Sequence, residues 1–295
     1  MYPTASTSRP SLPPAVPPLA QTEPTTPSSA VIVRGTDILT TMKVNLNLGA
    51  SAESIARAAS DAVPELPRYR PDGAGVILVF HTDSGCHVLG GERENRALRD
   101  LKTSDGSAFP PQITMTLGGT LSDPERSLKD SLIDAAKRRL LLEVPTAAQG
   151  DVDLATLNRL ADAVASPDGW ETQVCIHTDK WRNRQGGEST MCYLTGVKHL
   201  QCSDDEFALI SKALDSSTEA RRTHGSSQTL MAFRFASLDA MVANASATYA
   251  MNEKDKAEHA WQQFGNQVAV TFNDLAVATL AGNGGLTKDH SAARI

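Results

Sequence analysis

The sequence predicts an α/β (α+β) domain, and three observations carry that expectation. The apolar run Gly75-Val76-Ile77-Leu78-Val79-Phe80 has strand length; Asp83-Ser84-Gly85 supplies turn chemistry, and Cys86 to Gly91 returns as a second strand, so a hairpin follows. Ser127 to Val144 places Leu128, Leu132, Ala135, Ala136, Arg139 and Leu142 or Glu143 at three- and four-residue spacing, the period of a helix with one buried face, and Pro145 ends it. No Pro/Gly/Ser-rich linker interrupts residues 73–285, so a single domain accounts for them.

Residues 1–30 are rich in Pro, Ser and Thr, with Arg9 and Glu23 as their charged side chains. Such a segment buries too little apolar surface to offset its ordering entropy, so a disordered tail is expected. Its composition is shared by solvated tails and by export leaders that resemble those of bacterial type III effectors. Residues 31–72 read as an extension packed on the domain. Val31-Ile32-Val33 and Met42 to Leu48 suggest peripheral strands, and Ser51 precedes an Ala-rich helix over 52–63 that Pro64 stops.

After the hairpin, a polar connection runs from Arg93 to Ser107, and Gln112 to Leu117 reads as a strand ending in Gly118-Gly119. Beyond the helix over 127–144, Leu154 to Ala165 is a second amphipathic helix. Thr172 to His177 and Ser189 to Val197 are expected to form a long hairpin around the polar stretch Lys180 to Gly187. Asp204 to Leu214 reads as a helix, Leu230 to Phe235 as a strand, Ser237 to Val242 as a helical turn, and Asn252 to Leu280 as mostly helix. Residues 286–295 are expected to be a flexible C-terminus.

The bulk properties exclude several functional classes. The chain has 295 residues, 40% of them hydrophobic, and a net charge of −6 with no cluster of Lys and Arg, so a nucleic acid duplex is not an expected partner. The apolar runs, such as Val76 to Phe80 and Leu140 to Leu142, fall far short of the roughly 20 residues that span a bilayer. Cys86, Cys175, Cys192 and Cys202 lack Cys-x-x-Cys spacing and read as unpaired thiols of a reducing, cytoplasmic compartment. Export into a host cell as an effector is the alternative location.

The order hairpin, strand, Gly-Gly, loop, helix resembles the core of the Nudix hydrolases, whose mixed sheet is sandwiched between helices. The family signature is Gly, five residues, Glu, seven residues, Arg-Glu, an aliphatic residue, any residue, Glu-Glu, any residue, Gly. Anchored on Gly119, it puts Glu125 at the first glutamate and Ile133 at the arginine. Anchored on the helix, it makes Arg138 the signature arginine and Asp130 the residue at the first glutamate, with a loop about five residues longer. The second alignment is preferred, because loops accept insertions more readily than a helical face does. Arg139 and Leu142 then replace metal-binding glutamates, Glu143 remains, and Pro145 replaces the closing glycine. Phe233 to Met241 also resembles the strand and turn that precede the family's last helix.

The resemblance implies a magnesium-dependent pyrophosphohydrolase, with manganese as a substitute, acting on a nucleoside diphosphate linked to another group. Its expected catalytic residues are Glu143, Asp130 and Glu125, with Glu143, Asp130 and Asp134 at the metal. Two facts work against it: Arg139 repels a divalent cation, and Glu143 stands a single helical turn from Arg139. Gly118 and Gly119 bring backbone close to phosphate, while Arg138, His177 and Trp181 are the expected substrate contacts, with Asp179, Trp170, Arg182 and Arg184 as further candidates. The same residues have structural readings as strand ends, loop anchors and helix-dipole partners. A second reading follows from the same erosion: a Nudix-like module that no longer hydrolyses and binds a nucleotide-type small molecule or a protein partner. A homodimer is one assembly compatible with either.

Overall fold

The computed structural model describes residues 38–45, 49–62, 70–93, 101–108, 112–114, 116–142, 144, 146–171, 173–182, 188–224, 230–241, 269–270 and 292–295, with single positions between 243 and 258. The expected tail over residues 1–30 and the strand Val31 to Val33 lie outside the described residues. What is described is an α+β fold, a mixed parallel and antiparallel sheet with packed helices.

The strands are β1 (Ile38–Asn45), β2 (Gly73–Thr82), β3 (Gly85–Arg93), β4 (Gln112–Thr114), β5 (Leu117–Thr120), β6 (Gln173–Arg182), β7 (Glu188–Gln201), β8 (Leu230–Ser237), β9 (Ala269–Val270) and β10 (Ala293–Arg294). The helices are α1 (Ala52–Ala62), α2 (Leu128–Lys137), α3 (Leu154–Ala165) and α4 (Asp204–His224). Among the described residues the sheet runs β1-β6-β7-β2-β3-β4-β9, with β2 and β7 parallel and β5, β8 and β10 joined to β2, β3 and β7. Both expected hairpins form: β2 with β3 through Thr82 and Gly85, and β6 with β7.

The expected strand over Gln112 to Leu117 is instead two short strands with different partners. β4 pairs with β3 at Gly91 to Arg93, whereas β5 pairs with β2 at Gly73 to Val76. Both therefore sit in the fork where β2 and β3 diverge. The weak sidedness of this segment reflects that split, since no single pleat is imposed on all of its residues. At the fork Gly118 lies opposite Gly75, and a Cβ on Gly118 would stand 2.5 Å from the Ala74 carbonyl oxygen. Only glycine permits that approach.

Ala74, Val76, Leu78 and Phe80 alternate onto one face of β2 and join Leu128, Leu132, Leu157, Leu160 and Leu214 of the helices in one core cluster. The intervening Ile77 and Val79 point to the opposite face and are also fully buried. This double burial explains why β2 reads as a continuous apolar run. Ser127 caps α2, its hydroxyl accepting from the Asp130 N–H, and Asp153 caps α3 through the Thr156 N–H at 3.0 Å.

Three boundaries differ from expectation. The helix expected to continue to Val144 remains α-helical only to Lys137 and widens into a π-helical turn over Arg138–Leu142, in which Leu140 is fully buried. α4 continues ten residues past the expected end at Leu214, because Ser217, Thr218, Ala220 and Arg221 are buried and hold its second half against the domain. The C-terminus, expected to be flexible over 286–295, is docked at its end: β10 runs parallel to Leu200 and Gln201, Ala293 is buried, and the Ile295 N–H donates to the Gln201 carbonyl. Within the stretch expected as mostly helix, Ala269–Val270 is a short strand beside β4.

Candidate functional site

The glycine pair and α2 define a pocket of about 170 Å³ at the open end of the fork. Its wall is the backbone from Gly119 to Asp123, Ala74 of β2, and one side of α2 bearing Ser131, Asp134, Ala135 and Arg138. Arg126 closes it from the loop before the helix. The helical period makes this face: Ser131, Asp134, Ala135 and Arg138 follow one another at intervals of three, one and three residues.

Four charged side chains line the pocket, two of each sign. Arg126 forms an ion pair with Asp134, and this carboxylate is the main cause of the guanidinium's raised pKa. Asp123 receives the Glu125 N–H at 3.0 Å and so shapes the loop. Arg138 is exposed, and its guanidinium has no hydrogen-bond acceptor among the described residues. Arg139, next in sequence, is held differently. Its Nε and Nη2 both donate to the Gly118 carbonyl, at 3.0 and 2.9 Å. The carbonyl of Arg139 in turn accepts from Arg221 Nη2 at 2.7 Å, and Arg221 is itself 2% exposed with its guanidinium over the Phe233 ring. Arg138 Nη1 and Arg139 Nη2 both lie within 4 Å of the point where a Gly119 side chain would begin.

The expected site residues divide sharply. Gly119, Asp134 and Arg138 come together at the pocket, and Gly118 lies beside it. Glu125 and Asp130 are exposed and do not line it; the Asp130 N–H serves the helix cap. Glu143 lies outside the described residues. His177 and Trp181 occupy β6 opposite Tyr193 and Ser189, two strands from β2, and their side chains are outside the described set. Trp170 is buried, donates to the Ser166 carbonyl and carries Lys198 Nζ 5.2 Å from its ring centroid, so it anchors a loop. Arg126, Asp123, Thr120 and Ser122 were not singled out in the sequence, because loop residues have no period and the eight-residue separation of Arg126 from Asp134 matches no short motif.

A magnesium ion takes oxygen ligands in near-octahedral geometry. Among the described residues no three His, Cys, Asp or Glu side chains gather where they could hold a metal. Asp134 is neutralised by Arg126, the Gly118 carbonyl is taken by Arg139, and a fixed guanidinium stands at the position where the resemblance puts a ligand carboxylate. Arg126, Arg138 and Arg139 thus set guanidinium groups beside the carboxylates of Asp123 and Asp134. No known family model matches the chain, and comparison with curated proteins finds no match either. Among the described residues no helix is long and apolar enough to cross a membrane.

Proposed function

We propose that the protein is a binding module of Nudix-like architecture that takes the phosphate or diphosphate group of a nucleotide-type ligand without a metal ion. One observation carries this reading: Arg138, with no acceptor among the described residues, points with Arg126 into a pocket floored by the Gly119 backbone. Guanidinium groups match phosphate oxygens in geometry and charge. A volume of about 170 Å³ suits a phosphate or diphosphate group, whereas whole drug-sized ligands occupy roughly 300–1,000 Å³. The remainder of a nucleotide would lie outside the pocket.

Arg139 then replaces a metal ion structurally. Its fixed positive charge holds the Gly118 carbonyl and adds to the field at Gly119. The runner-up is the magnesium-dependent pyrophosphohydrolase, favoured by the presence of Asp123 and Asp134 on the same pocket wall. Thermal unfolding with inorganic pyrophosphate and a panel of nucleoside diphosphates, each in EDTA and in magnesium, separates the two. Stabilisation in EDTA that disappears in Arg138→Met, with no product formed, supports the module, since a ligand that binds only the folded state raises apparent stability. Magnesium-dependent release of a monophosphate that is lost in Glu143→Gln supports the hydrolase and overturns the module. A reporter fused to residues 1–30 tests the export reading of the tail.

A further inference from the structure

The face of the sheet opposite the helices carries a chain of hydrogen-bonded titratable side chains that the pocket does not use. His81, the next-to-last residue of β2, lies directly across from Cys86, the second residue of β3, while His199 of β7 projects from the same face beside them. Cys86 Sγ is 3.3 Å from His81 Nδ1, His81 Nε2 is 2.7 Å from His199 Nδ1, and His199 Nε2 is 2.9 Å from Glu171 Oε1. The inner end is sealed: His199 is 0% and Glu171 6% exposed, while Cys86 and His81 at the outer end are partly exposed.

With both imidazoles neutral and Glu171 ionised, a single arrangement of protons satisfies all three contacts. A carboxylate only accepts, so His199 donates from Nε2; its Nδ1 then accepts from His81 Nε2–H, and His81 Nδ1 accepts from the Cys86 thiol. The order is nucleophile, base, orienting groups, which is the logic of a catalytic triad with one extra imidazole.

We infer that Cys86 is a nucleophilic thiol with His81 as its general base, positioned by His199 and Glu171, and that it accepts acyl groups from activated esters or thioesters. As sulfur attacks the carbonyl carbon, the S–H proton passes to His81 Nδ1 and an S–C bond forms. Collapse of the adduct breaks the bond to the leaving group, which takes that proton. Water then attacks the thioester with His81 again as base, releasing a carboxylic acid and restoring the thiol. The imidazolium formed in each step is balanced through His199 by Glu171.

The chemistry of the thiol favours acyl transfer over disulfide exchange. Burial, and secondarily Asp239 on the turn after β8, raise the Cys86 thiol above its ordinary range. Little standing thiolate is then present at neutral pH, and disulfide exchange depends on it. A base that removes the proton during attack does not. Cys192 and Cys202 are buried and pushed up to about 12 and about 11, so they serve as internal controls.

The test uses the full chain and p-nitrophenyl acetate. The expected result is a burst of one equivalent of p-nitrophenolate, with an acetyl group on the peptide holding Cys86 and no burst in Cys86→Ala. His81→Gln slows acetylation by roughly 100-fold, the usual scale of a general base. Glu171→Gln lowers the plateau rate and moves the rising limb of the pH profile to lower pH, because a less stabilised imidazolium is a stronger acid. The unsubstituted chain gives a check that needs no variant: a base-assisted rate levels off above the pKa of an imidazole, roughly 6.5, whereas an unassisted thiol keeps accelerating through its own pKa. Acetylation no faster than in the urea-unfolded chain, a profile that rises without a plateau, or modification confined to other cysteines overturns the inference.

Discussion

Arg138 and Arg139 are adjacent, of the same type and beside the same glycine, Gly119, yet the structure assigns them opposite consequences on substitution. Arg139→Met keeps the side-chain stem and removes two hydrogen bonds to the Gly118 carbonyl. Hydrogen bonds to a charged group contribute about 1.5–3 kcal/mol net, and this site is part-buried, so a loss of about 2 kcal/mol is expected. For a domain of this size that corresponds to a fall in Tm of roughly 4–8 °C. Arg138→Met removes a guanidinium with no acceptor among the described residues and should change stability by less than about 0.5 kcal/mol. Urea unfolding at pH 7 followed by tryptophan fluorescence measures both. Pyrophosphate titration of the same variants should show the reverse order, with binding lost in Arg138→Met and kept in Arg139→Met below its lowered Tm. Equal stability losses in the two variants, or a change under about 0.5 kcal/mol in Arg139→Met, would refute the assignment of a structural cation.

Three other outcomes follow from the geometry. Gly118→Ala should destabilise by about 1–3 kcal/mol or more in urea unfolding, because the new Cβ meets backbone at 2.5 Å, while Gly119→Ala should fold normally, with no atom nearer than 3.8 Å. Leu132→Ala empties a fully buried site in α2 and should cost about 3 kcal/mol; adding Gly196→Ala should recover part of it, because a Cβ there would point 2.7 Å from Leu132 Cδ1. Lys198 is fully buried, and desolvation lowers its pKa from 10.5 to about 8, with nearby Lys129 adding to the effect. Between those two pH values the unfolded chain binds more protons than the folded one, so stability attributable to Lys198 rises with pH across that window. The difference in stability between the parent and Lys198→Met, measured at pH 7.5 to 10.5, should increase in the parent's favour; a flat difference would show that the ammonium is not desolvated.

Local pattern carried most of the fold. The apolar run of β2, the turn at Asp83 to Gly85, the period of α2 and α3 and the hairpin of β6 and β7 all follow from short-range spacing. Burial of both sheet faces or of one helical stripe writes itself into consecutive residues. The elements that departed from expectation depend on distant partners. β4 and β5 separate because β3 and β2 diverge to receive them; α4 outruns its pattern because its polar second half is buried against the domain; residues 293–294 form a strand because β7 offers an edge.

The two sites divide in the same way. Gly119, Asp134 and Arg138 were legible in the sequence, since one strand and the helix after it present them within twenty residues. The partner of Asp134, the hold of Arg139 on Gly118 and the support of Arg139 by Arg221 were not, because each joins segments whose separation no local rule encodes. The thiol relay is the extreme case: Glu171 and His199 stand far from His81 and Cys86 along the chain, and only the parallel pairing of β2 with β7 lays them on one face. Composition and periodicity determine which side chains turn inward, because each residue's burial depends mostly on its own neighbours. Which inward-turning groups meet is decided by strand order and register, and that choice belongs to the whole chain.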